Sequence, residues 1–248
     1  MMTERLFSLA RRYHSALQGR ELQATAAMLA PYANIGPPLR ALYQHWQQHA
    51  PEAGPAYWAA RVWSLLIWQP VYVLLLAVHG CGHGLNLRGF YQYYHQGSVA
   101  GFSLQHPEQI PTAPTCETQL IHSAAQQLQA HYQWLLAQCQ GVFNLRRKLA
   151  TRLTADTLLS GLIRLPVVQP ARKNSELERL ASQWLDALGW EGESALISIP
   201  LENALPALAL NRKSCCFEYC RADGTRCSTC PKQPLQLRIQ RIKAEHSA

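Results

Sequence analysis

Apolar residues recur at helical spacing from the start of the chain: Leu6, Phe7, Leu9, Ala10, Tyr13 and Leu17 share one face, and Leu22–Leu29 and Leu39–Trp46 repeat the pattern. The first fifty residues are therefore expected to form short helices. Pro55 can open another helix through Trp58, Val62, Leu65 and Leu66 to Gln69. Pro70 is expected to kink or end it, because proline has no N–H for the helical ladder. Val71–Val78 is apolar on every side, which predicts burial whether it is helix or strand. From Val62 to Val78 only Ser64, Gln69 and Pro70 interrupt the apolar run, and this raises a membrane-spanning reading. The run falls short of the ~20 apolar residues that a span needs and carries a central Gln-Pro. A buried pair of core helices is expected instead, with peripheral contact to the inner membrane left open.

Leu85–Leu104 is rich in aromatic and β-branched residues around the turn signal Gln96-Gly97-Ser98, and predicts a β-hairpin. The proline-spaced stretch from Gln105 to Thr115 reads as a loop. Two long helices follow, over Glu117–Cys139 and Asn144–Leu162. The glutamines Gln126, Gln127, Gln129, Gln133 and Gln138 mark a solvated face on the first. Ser175-Glu-Leu-Glu178 has the form of a capping box, opening a helix that closes at Gly189. Ala195–Pro200 is strand-like. The pattern predicts a mainly α, α+β protein: a helix-rich unit over residues 1–210 with a small β component, then a cysteine-rich segment over residues 211–248.

A chain of 248 residues can bury a full core, so no disulfide framework is needed to hold it together. The N-terminal stretch carries Glu4 and lacks the apolar run and cleavage site of a secretion signal, which places the protein in a reducing cytosol. Five of its eight cysteines nevertheless fall between Cys215 and Cys230. Clustered thiols in that compartment hold metal or do redox work. The formal net charge is +8, and from Asn211 to Ala248 eight Lys/Arg stand against three acids. Cations around thiolates stabilise them and any anionic cluster they carry. A solvated basic tail would have the same composition. A nucleic-acid surface would also be basic, but the aromatic-plus-basic platform of a known module is missing, and no nucleic-acid partner is expected.

Cys227-Ser-Thr-Cys230 is a CxxC, from which two thiolates can chelate one ion. Two partitions supply the remaining ligands. Cys216 and Cys220 with the CxxC would make a tetrahedral zinc site. Alternatively Cys215 and Cys216 act together, which requires a bent backbone because neighbouring side chains on extended chain point apart. On chemistry alone zinc and iron–sulfur are equally served.

Cys215-Cys216-x10-Cys227-x2-Cys230 resembles the C-terminal signature of the FhuF-like ferric-siderophore reductases, cytosolic iron-assimilation proteins that carry a [2Fe–2S] cluster on CC-x10-CxxC. The family's basic residues before the pair are matched by Arg212 and Lys213. Over Val62–Leu210 the likeness is looser: an apolar segment ending at His79-Gly80, a hairpin, then long helices. The resemblance implies Cys215, Cys216, Cys227 and Cys230 as cluster ligands, with Cys215 and Cys216 on one iron and Cys227 and Cys230 on the other; Cys220 lies outside the signature. It implies one-electron reduction of siderophore-bound Fe(III), hydroxamate type favoured, with electrons arriving from a ferredoxin or a flavin-dependent reductase. Arg221, Arg226 and the Asp223-Gly224 turn are candidates for adjusting the cluster's potential, though ordinary loop chemistry explains each equally. The competing readings are a zinc-stabilised basic binding protein without enzymatic activity and a simple electron carrier.

His79, Cys81 and His83 in HGCGHG are metal-ligand types, but three glycines argue against the helix that would align the two histidines. Gly80-x-Gly82 imitates a dinucleotide fingerprint, yet the third glycine and the following helix are missing. A tight turn is expected. Between Glu52 and Glu108 there is no carboxylate, while Arg88, Tyr91, Tyr93 and Tyr94 are present. His79 and Arg88 are accordingly expected to contact an anionic, oxygen-rich substrate.

Overall fold

A computed structural model describes residues 2–22, 28–105, 116–201 and 205–247. It is a helix-rich α+β fold. The α-helices among the described residues are α1 (Met2–Tyr13), α2 (Gly36–His49), α3 (Gly54–Leu75), α4 (Glu117–Gln140), α5 (Arg147–Arg164), α6 (Asn174–Leu188) and α7 (Leu235–Ser247). Strands β1 (Met28–Leu29), β2 (Phe90–His95) and β3 (Ser98–Leu104) form an antiparallel sheet in that order, and β4 (Leu196–Ile199) pairs with β5 (Ala207–Leu210). The proline-spaced loop after Gln105 lies outside the described residues, as do residues 23–27 of the expected second helix. Its far end, Met28–Leu29, pairs as a strand with Tyr93 and Gln92.

α3 is the axis of the core: Val62, Trp63, Leu66, Ile67, Val71 and Leu74 on it are fully buried. Pro70 does not end this helix, contrary to expectation. Proline cannot donate to the carbonyl of Leu66 four residues back, but Gln92 of β2 does so with its side-chain amide, Nε2 to O at 3.0 Å. The same amide donates to Gln69 Oε1 at 3.0 Å. The ladder therefore continues to Leu75 and widens into a π-helical turn over Leu76–Cys81, closed by Gly82 in the left-handed conformation at φ +71°. HGCGHG is thus the end of a helix rather than a free turn, and the expected core pair is one continuous rod. That rod, Pro51–Cys81, is long and apolar enough to cross a membrane, but 78% of its most apolar window is buried inside the protein. It is a core helix by its packing.

α3 packs along α5, and α4 packs along α6. Tyr13 OH donates to the carbonyl of Gly161 where α5 passes α3. α4 matches the expected span almost to the residue. Its glutamines are only partly a solvated face: Gln126 and Gln133 are exposed, while Gln127, Gln129 and Gln138 bind the backbone of Leu87, Leu188 and Ile35. α6 ends at Gly189 as expected, but it opens one residue before Ser175 and shows no side-chain cap bond. The capping-box reading fails there: Asn174, the first helical residue, donates instead to the Pro206 carbonyl at 2.6 Å.

The last strands and α7 are tied to this body. Ile242 of α7 is buried against Ile199 and Ala209 of the small sheet. The sheet in turn packs on α5.

A Cβ added at Gly161 would lie 2.5 Å from Leu75 Cδ1 and 3.1 Å from Tyr72 Cε1. Gly161→Ala should therefore overpack the α3–α5 contact and cost about 1–3 kcal/mol, read as a lowered chemical-denaturation midpoint at unchanged slope.

Candidate functional site

The cysteine segment is laid across α5 by charge. Asp156 on α5 is buried, and its Oδ2 accepts from Arg212 Nε at 2.8 Å while Oδ1 accepts from Ser194 Oγ at 2.6 Å. Burial pushes the Asp156 carboxyl up, with Arg212 and Ser194 pulling it back. One turn earlier Arg152 reaches the Lys213 carbonyl and Ser214 Oγ, both at 3.4 Å, and pairs with Glu193 at 2.8 Å. These two arginine contacts fix the chain immediately before Cys215.

Phe217 follows the cysteine pair in the left-handed region at φ +62°, a conformation that costs a non-glycine residue about 1–2 kcal/mol. The bend aims the Phe217 N–H at Cys215 Sγ, 3.3 Å away. Cys215 Sγ also stands 3.7 Å from Cys230 Sγ. Cys216, next in the chain, feels the thiols of both Cys215 and Cys227 electrostatically. The four cysteines of the CC-x10-CxxC pattern are thus gathered at one place, with Cys215 against Cys230 and with Cys216 and Cys227 sharing a neighbour in Arg212.

The free guanidinium nitrogen of Arg212 lies 3.8 Å from Cys216 Sγ and 3.7 Å from Cys227 Sγ. Thr229 Oγ1 is 3.7 Å from Cys227 Sγ. The neighbouring Cys215 and Cys227 thiols, with Arg212 beside them, hold the Cys216 thiol below its ordinary pKa, and Cys216 in turn pushes Cys215 and Cys227 up. From α7's side, Gln233 Nε2 donates to the Cys227 carbonyl at 2.7 Å and is itself held by Arg241 at 2.7 Å.

Cys220 faces a different set of neighbours. It packs with Phe217 against Ala50, Ala53 and Tyr57. Among the described residues, no three His, Cys, Asp or Glu side chains are placed to hold one metal ion between them. Arg221 is committed to Glu218 and Asp223 at 2.8 and 2.9 Å, and Arg226 lies over the Tyr219 ring. Gly224 is required by a close approach, since a Cβ there would be 2.0 Å from the Glu218 carbonyl oxygen. The cation on the sulfurs is Arg212, which the sequence offered only as a basic residue ahead of the pair. Its signal was Asp156, the one acid in the sequence of α5.

The structure does not bring His79 or Arg88 to this place. At about 1.5 Å per helical residue, His79 stands roughly 30 Å along the rod from Tyr57, which borders the cysteine loop. Both of its ring nitrogens are occupied. Trp184 Nε1, a donor only, donates to Nε2 at 2.9 Å, so the ring is neutral there and donates from Nδ1 to Glu117 Oε1 at 3.0 Å. Its role is to join α3's end to α4 and α6, and burial lowers its pKa. The His79 hydrogen bond, with Arg172 and Arg179, holds the Glu117 carboxyl down to about 2. In this structure His79 bridges the helices, with both ring nitrogens already taken. Arg88 is exposed and lies 5.0 Å from the Tyr32 ring centroid. The tyrosines do not gather round it: Tyr91 bonds Gln105, and Tyr93 bonds Ser103.

Compared with known proteins, the chain matches no family model, and no solved structure matches it.

Two outcomes are expected. Asp156→Ala leaves the Arg212 cation without its buried partner and should cost about 3–5 kcal/mol of unfolding free energy, whereas Asp223→Ala at the exposed pair should cost under about 1 kcal/mol. The folded pKa of His79 lies below the ordinary 6.5, and that of Glu117 below 4.5. Each contributes stability that is full above those values and lost as pH falls through them. The Tm should decline below about pH 6.5. In His79→Gln that first decline should be shallower; an unchanged slope would exclude His79 as its source.

Proposed function

We propose that this chain reduces Fe(III) held by a siderophore to Fe(II), through a [2Fe–2S] cluster bound at Cys215, Cys216, Cys227 and Cys230. The observation that carries the reading is that Cys215 stands 3.7 Å from Cys230 while one guanidinium nitrogen of Arg212 lies beside both Cys216 and Cys227, with Cys220 packed against Ala50, Ala53 and Tyr57 instead. A zinc site would need four ligands around one point, including Cys220 in the spacing the sequence allowed. A binuclear centre needs two pairs. The pair that touches across the motif is Cys215 with Cys230, and Arg212 spans the other two, Cys216 and Cys227; we assign these pairs in place of the chain-neighbour pairing.

The donor set fits such a group in its surroundings as well as its number. A cluster of this kind, when bound, supplies one electron at low potential. The protein's part is to hold the thiolates and to set the charge about them. Arg212 does this from a fixed position, because Asp156 and Ser194 orient it before any ligand arrives. The Phe217 N–H and the Thr229 hydroxyl are placed to donate to sulfur. Hydrogen bonds and positive charge at sulfur stabilise the more negative state and raise the potential. Hydroxamate and catecholate oxygens are hard anionic donors that suit Fe(III) and hold the less charged Fe(II) weakly, so a single electron releases the metal. The electron donor is a protein, a ferredoxin or a flavin-dependent reductase; Lys213, Arg226 and Lys232 are exposed cations beside the cysteines that suit an acidic partner. The reading places the reaction in the cytosol.

Anaerobically purified protein should contain about two irons and two acid-labile sulfides per chain and give an S = 1/2 signal after dithionite. Replacing Cys215, Cys216, Cys227 or Cys230 by Ser should remove the visible absorption, and Cys220→Ser should keep it. One zinc without sulfide, in protein expressed with ample iron, would sink the reading.

A further inference from the structure

Two cavities touch the segment that carries the cysteines. In the smaller, of about 210 Å³, the charge of Arg212 is already met by Asp156. The larger, of about 380 Å³, lies between α2, the first turns of α3 and the opening of α5. Its walls are Tyr43, Leu149 and Phe217, Ala56 lies at its edge, and Asn144 and Arg146 supply its polar atoms. That volume falls in the range of small-molecule sites.

Phe217 joins this cavity to the sulfurs. Its ring lines the wall, its N–H points at Cys215 Sγ, and it follows Cys216 in the chain. No carboxylate lines the space. Arg146 forms no ion pair among the described residues, and neither do Arg147 and Lys148 beside it; all three are exposed. Three adjacent cations repel one another, so an anion brought here is attracted by charge that the fold itself leaves uncompensated. The aromatic and aliphatic walls suit the organic shell of a chelate, while the Arg146 guanidinium suits a carboxylate in bidentate fashion.

We infer that this cavity binds the ferric substrate, and that it selects anionic chelates bearing free carboxylate over neutral or cationic hydroxamates of similar size. The inference rests on the reductase reading for its ligand class and narrows it: charge, rather than hydroxamate chemistry, decides the substrate.

The test is calorimetric titration of the full chain, as purified and oxidised, with two ferric hydroxamate chelates of opposite charge. One is built on citrate and retains a carboxylate; the other is the cationic linear trihydroxamate ferrioxamine B. The anionic chelate should bind about tenfold tighter or better at low salt, a gap that narrows as salt rises. Arg146→Glu should abolish the gap, and Ala56→Trp, at an exposed wall position, should weaken binding of the anionic chelate. Equal affinities, or a preference untouched by both substitutions, would overturn the inference. A charge preference in protein that lacks iron or never reduces the bound chelate keeps the cavity and defeats the reductase reading. Turnover indifferent to chelate charge and to Arg146→Glu does the opposite.

Discussion

The buried ion pair between Asp156 and Arg212 is the constraint on which the rest of the site depends. A carboxylate inside a helix bundle is tolerated only with a partner. The partner comes from the segment that carries the cysteines, 56 residues further along the chain. The pair therefore does two things at once. It anchors the cysteine segment to the helical body, and it leaves one guanidinium nitrogen facing Cys216 and Cys227. The second effect follows from the first, since Nε is the atom that meets Asp156 and the planar guanidinium then has its remaining nitrogens in fixed directions. A lysine could satisfy the acid or approach the sulfurs, but a single ammonium on a flexible stem would not hold both in register.

The same reasoning bears on the division of the chain near residue 210. Composition suggested a helix-rich unit followed by a separate cysteine-rich segment. In space the segment is bound at Asp156, at Arg152 through the Lys213 carbonyl, and at Glu52, whose Oε1 accepts from the Ala222 N–H at 2.9 Å. α7 then returns to the small sheet through Ile242. The cysteine group is assembled on surfaces contributed by α3, α5 and α7 together. The order of the sulfurs reflects this: the contact between Cys215 and Cys230 closes across the loop rather than along the chain.

Much of the framework was legible because it is periodic. The ends of α4, the hairpin of β2 and β3 and the glycine stop of α6 follow from spacing and turn residues that act locally. What was illegible depended on partners distant in sequence. The passage of α3 through Pro70 rests on a glutamine in β2, and no property of the helix sequence announces that Gln92 will reach the orphaned carbonyl of Leu66. β1 is two residues long and owes its form to the strand it meets. At the site, the cysteines were found by their spacing. Arg212 was named only as a basic residue before the pair, because the residue that aims it lies on another helix, while Arg221, nearer the centre of the motif, is paired with Glu218 and Asp223.

His79 shows why a pattern of absence along the chain misleads. No acid occurs between Glu52 and Glu108, and that gap suggested an anion site around the histidine and Arg88. Folding brings Glu117 from α4 directly against the ring, with Arg172 and Arg179 around it, so the region that lacks acids in sequence holds one in space. The opening of α5 is the reverse case. Its cations drew no notice in the sequence, since basic residues scattered on a helix are ordinary. The structure sets Arg146 at a cavity with no carboxylate in its lining and puts Phe217, the neighbour of Cys216, in the same lining. Balance of charge is thus decided in three dimensions, and Arg146 shares its cavity with the residue that follows the Cys215-Cys216 pair.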